Sequence, residues 1–120
     1  SFAHLRSGIN AKWFVGGHDY YLSLKNAILR AKESIFLTGW FLCPELYLDR
    51  NPPHLISDRF DVMLAQKARE GVQIYIIIWN ETKFAFELNS NEASKRLESL
   101  HPNIHAITHP YAGSLVLKWS

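Results

Sequence analysis

The run VQIYIIIW at residues 72–79 constrains this chain more than any other feature. Every position except Gln73 is β-branched or aromatic, and no polar residue alternates along it. A segment of that kind is expected as a strand covered on both faces, which places it at the centre of a sheet packed beneath helices. It is far shorter than the roughly 18 apolar residues that a bilayer-spanning helix needs.

The rest of the chain reads as helices and strands arranged around that centre. SIFLTGWFL at 34–42 has the same character and is expected as a second strand covered on both faces. KWFV at 12–15 reads as a shorter strand stopped by Gly16 and Gly17. A helix follows, with Asp19 as N-cap and Tyr21, Leu24, Ile28 and Ala31 on one stripe. Residues 43–56 carry three prolines and form a long connection, which its apolar Leu46, Tyr47, Leu48, Leu55 and Ile56 should keep ordered. Ser57 is expected to cap a second helix, whose face is Phe60, Met63, Leu64 and Ala68 and whose stop is Gly71. Residues 80–88 read as a short helix. A further helix begins near Asn89 or Ser90, supported by Glu92, Ala93, Leu97 and Leu100. IHAI at 104–107 is a strand, Pro110 and Gly113 make a turn, and LVLKW at 115–119 is a last strand.

Strands alternating with helices imply right-handed crossovers and an α/β fold, a mainly parallel sheet flanked by helices, here expected on both faces. At 120 residues and 48% hydrophobic the chain suits one domain. Ligands of such sheets collect at the carboxyl ends of the strands, here residues 38–41, 79–81, 109–110 and 119–120. Three of the four tryptophans, Trp40, Trp79 and Trp119, fall there.

Several chemistries are disfavoured. No glycine-rich phosphate loop and no G-x-S-x-G is present, so neither a nucleotide cradle nor a serine nucleophile is expected. His101, His105 and His109 would line up on a helix only if Pro102 and Pro110 did not interrupt it; on a strand, His105 and His109 share a face. They read as surface or hydrogen-bonded histidines, and no metal and no cofactor is expected. Cys43 is the sole cysteine, flanked by Leu42 and Pro44 with no activating base, and reads as a small core residue. The net charge is +2, with basic residues scattered rather than gathered in a stripe, so no nucleic-acid partner is expected.

Five stretches, INAKWFVGGHDYY, AKESIFLTGWFLCPELYL, DRFDVMLAQKAREGVQIYIIIWNE, NSNEASKRLESLHPNIHAITHP and LVLKW, resemble in order and spacing the start of the catalytic region of eukaryotic phosphatidylcholine-hydrolysing phospholipase D. The likeness covers roughly residues 8–120. It implies that the chain is part of one catalytic lobe, 1–120, ending just before the first of two His-x-Lys-x-x-x-x-Asp motifs. No His-x-Lys occurs in this sequence, so no catalytic residue is expected in this chain.

The resemblance also implies hydrolysis of phosphatidylcholine to phosphatidic acid and choline through a phosphohistidine, without metal. A cytoplasmic, peripherally membrane-associated protein follows, with the phospholipid surface and the remainder of the catalytic region as its partners. Trp40, Phe41 and Trp119 are the expected substrate-binding wall. Another phosphodiesterase or phosphatidyltransferase of the superfamily, or a non-catalytic interaction domain, are the alternative readings.

Overall fold

The computed structural model describes residues 4–79 and 90–109. Within them three strands, β1 (Ser34–Gly39), β2 (Gln73–Ile78) and β3 (Ile104–Thr108), form a parallel sheet in the order β1-β2-β3. The strand expected at 72–79 is central, and its register sets Ile76 between Leu37 and Ala106. Helix α1 (Gly17–Arg30) precedes β1, α2 (Phe60–Arg69) links β1 to β2, and α3 (Ser90–Leu100) precedes β3. This is the α/β architecture that the alternating pattern dictates.

The core lies between the sheet and the helices. Leu64 of α2, Ile74 and Ile76 of β2, Leu97 of α3 and Ile104 of β3 are buried together. Each such side chain contributes about 1.5–3 kcal/mol on leaving water. The stripe expected on the first helix packs against this cluster, Ile28 fully and Tyr21, Leu24 and Ala31 in part. Phe60, Met63, Leu64 and Ala68 form the buried face of α2, and Gly71 follows its end at φ +94°, a conformation open to glycine. The ammonium of Lys67 donates to the Leu29 carbonyl near the end of α1 (3.3 Å) and pairs with Glu70 (2.5 Å). A nearly buried cation is thereby satisfied where helix carbonyls lack partners.

Four expectations need correction. Residues 12–15 form no strand: a strand needs a neighbour to complete its ladder, and Trp13 is 95% exposed with none beside it among the described residues. Asp19 is not the N-cap of α1; Gly16 holds that position, and Asp19 lies in the first turn paired with His18, where its charge still suits the helix dipole. Ser57 does not cap α2 but sits in a 3-10 turn (Ile56–Asp58). The free N–H groups of Phe60 and Asp61 donate instead to the carbonyls of Leu46 (2.8 Å) and Pro44 (2.9 Å), so the connection itself closes the helix end.

The fourth correction concerns the faces of the sheet. Burial alternates strictly along β2, and Phe36 of β1 is 72% exposed. Among the described residues the helices cover one face, not both. Handedness explains this: right-handed crossovers that advance in one direction, β1 to β2 to β3, set their helices on the same side. The helix expected at 80–88, the turn at Pro110 and Gly113, the strand at 115–119 and Trp119 lie outside the described residues.

Candidate functional site

The first residues beyond each strand converge. The Trp79 N–H donates to the Gly39 carbonyl (3.0 Å) and the His109 N–H to the Ile78 carbonyl (2.7 Å), extending the ladder one step past β2 and β3. In an open parallel sheet this carboxyl edge is where ligands sit. Here it borders an open hollow of about 700 Å³ lined by Thr38, Gly39, Trp40, Ile77, Trp79 and His109. The rings of Trp79 and His109 lie nearly parallel, 5.6 Å between centroids at 15°. Trp40 is 71% exposed and Trp79 40%, so neither is the large core residue that tryptophan commonly is.

Trp40 and Phe41 part company at this edge. Alternation along an extended chain sends neighbours to opposite sides. Phe41 lines a second cavity of about 330 Å³ on the helix side, more enclosed than the hollow and mostly apolar, together with Tyr21, Leu24, Cys43, Leu46 and Phe60. Thr38 and Gly39 border both spaces. Cys43 is half-buried, with its thiol 3.9 Å from a Glu45 carboxylate oxygen.

His105 and His109 do share the uncovered face, as their spacing on a strand requires, and His105 stacks on Tyr75 at 5.2 Å. The sequence placed His109 at a strand end, but nothing in it predicted the stack on Trp79. Among the described residues, no group of three or more His, Cys, Asp or Glu side chains is placed to hold a metal ion.

Two ionic clamps, without any signal in the sequence, fasten the 43–56 connection that follows Trp40 and Phe41. In the first, Arg59 grips Asp61 with two hydrogen bonds (2.7 and 3.0 Å), Arg96 of α3 reaches Asp61 at 3.4 Å, and Arg96 also pairs with Glu45 of the connection. In the second, the Lys25 ammonium of α1 lies between Asp58 (2.7 Å) and Asp49 (2.9 Å). The hydrogen bond to Asp58 is the chief cause raising the Lys25 pKa above 10.5, and that from Lys25 holds Asp49 below 3.8.

The two shifts act at opposite ends of the pH scale. Asp49 stabilises the fold fully above pH 3.8 and loses that contribution as pH falls through its lower folded value. Lys25 contributes fully below pH 10.5 and loses its share as pH rises through its higher folded value. The contribution of this clamp is therefore expected to be level through neutrality, and Asp49→Asn should flatten part of the acid limb. Thermal midpoints recorded at a series of pH values check this, and identical acid limbs in the two proteins would remove the clamp from the account.

No family model matches the chain. Curated relatives do. Over 112 residues it is 44% identical to "Phospholipase D B" of Dictyostelium discoideum, an alignment spanning 92% of this chain and 9% of that protein. It is 46% identical to "Phospholipase D2" of Bos taurus over 110 residues, 92% of this chain and 12% of the other. "Phospholipase D1" of Mus musculus is 37% identical across 100% of this chain and 11% of its own length. The chain belongs to the phospholipase D family.

It spans about a tenth of the length of these relatives. Among the described residues, no helix is long and apolar enough to cross a membrane.

Proposed function

We propose that these residues are the opening part of a catalytic lobe of a phospholipase D that hydrolyses phosphatidylcholine to phosphatidic acid and choline. The observation that carries the reading is the 44–46% identity to relatives of that name across 92% of the chain, which includes the strand ends around the hollow. The sequence contains no His-x-Lys, so the reacting groups belong to parts of the longer polypeptide beyond these residues.

In the proposed reaction a histidine nitrogen attacks phosphorus, the P–O bond to choline breaks, and a second histidine gives its proton to the departing oxygen. Water then attacks the phosphohistidine, breaking the P–N bond and releasing phosphatidic acid. What this chain supplies is the scaffold and an aromatic wall. Trp40 and Trp79 line the hollow, and a quaternary ammonium held against an indole face gains about 0.5–2 kcal/mol. Phe41, facing the apolar cavity, suits an aliphatic part of the substrate rather than its cation. Work at a phospholipid surface in the cytoplasm is part of the same proposal.

Choline release from phosphatidylcholine vesicles tests it. The 120-residue chain is expected to release none, and the full-length polypeptide should release choline until its His-x-Lys histidine is changed to alanine. Hydrolysis by the short chain, or full-length activity indifferent to that histidine, would overturn the reading.

A further inference from the structure

Flat rings standing up from neighbouring parallel strands meet face to face, because the strands lie about 4.8 Å apart. Among the described residues, the uncovered face of this sheet does so in two rows. Tyr75 of β2 has Phe36 of β1 on one side, 5.0 Å between centroids, and His105 of β3 on the other at 5.2 Å, both pairs at 18°. Four residues further along both strands, alternation returns Trp79 and His109 to the same face, and they stack again at 5.6 Å and 15°. The hydrogen bonds from the Trp79 N–H to Gly39 and from the His109 N–H to Ile78 pin their main chains in that position.

Strand β2 lies between β1 and β3, so the imidazole covers Trp79 from the β3 side. The side of the indole toward β1, which Phe36 fills on Tyr75, carries no stacked ring among the described residues. What lies there is the hollow, bordered toward β1 by Thr38, Gly39 and Trp40. We infer that His109 is a positioning residue of this site: its imidazole braces the Trp79 indole and leaves the β1-side face of that ring as the seat of a quaternary ammonium. A ring that is 40% exposed keeps room to turn about its side-chain bonds. Without the brace, a cation must bear the cost of ordering the indole, and binding weakens. The inference rests on the head-group reading above, and assigns the cation of that reading to one face of one ring.

Binding is read without turnover. The full-length polypeptide is labelled with 5-fluorotryptophan, the Trp79 fluorine resonance is assigned by its loss in Trp79→Phe, and choline chloride is titrated against a sodium chloride control. The Trp79 signal is expected to shift to saturation, and His109→Ala should raise the Kd for choline by at least about 2-fold, a partial loss of a cation–π contact at an exposed site. His109→Phe keeps a flat ring able to stack and should bind within about 1.5-fold of the parent. His109→Leu keeps bulk without a flat face; it should weaken binding as alanine does, and it serves where His109→Ala fails to fold. No saturable shift in the parent, a smaller change in the alanine and leucine variants, or equal weakening by phenylalanine would each overturn the inference. The expected binding pattern in a polypeptide that releases no choline from phosphatidylcholine would sink the catalytic reading alone.

Discussion

Asp61→Ala is expected to lower the stability of the fold by about 2–3 kcal/mol. Asp61 is 2% exposed, and its carboxylate accepts from Arg59 twice, from Arg96, and from the Val62 N–H at 2.8 Å. Breaking a buried ion pair from one side costs about 3–5 kcal/mol when the abandoned charge stays dry. Here the arginine side chains are 28% and 44% exposed, so water recovers part of the loss. Arg96 also keeps Glu45. Asp61→Asn retains shape and an acceptor for Val62, and should cost about 1–1.5 kcal/mol. Urea unfolding followed by tryptophan fluorescence measures both, and an unchanged midpoint for the alanine variant would show that the clamp holds nothing.

Trp40→Ala should lower kcat/KM for choline release by the full-length polypeptide by about 2- to 30-fold, the equivalent of about 0.5–2 kcal/mol. Trp40 is largely exposed, so its removal leaves the core intact and the loss reads as lost contact with the head group. Trp40→Phe keeps a π face and should recover most of the activity. The contrast with a substrate whose head group is uncharged is decisive. If Trp40→Ala reduces hydrolysis of that substrate equally, the indole is not binding a cation.

Elements that follow from local chemistry were legible in the sequence. The β-branched density of 72–79 announced a central strand, and the three- and four-residue spacing of Tyr21, Leu24 and Ile28 announced a buried helical stripe. Features made by distant partners were not. The cap of α2 comes from carbonyls more than ten residues upstream, which left Ser57 looking like the obvious candidate. Composition showed strands fit to be covered on both faces, but which face the described helices take depends on strand order, and strand order is a tertiary fact. At the candidate site, the sequence brought Trp40 and Trp79 to one edge. The separation of Trp40 from Phe41, and the arginine clamp on the connection that follows them, needed the path of the chain in space.

The backbone at Thr38 and Gly39 is a partition one strand thick, with an open aromatic bay on one side and an oily chamber on the other. A Cβ placed on Gly39 would meet nothing closer than the Phe41 carbonyl at 3.5 Å, so there is room to thicken the partition slightly. A side chain added there points into one compartment, and it reaches the other only by displacing the strand between them. Whatever occupies one of them is thus physically adjacent to the other, and engineering aimed at either must be judged by its effect on its neighbour.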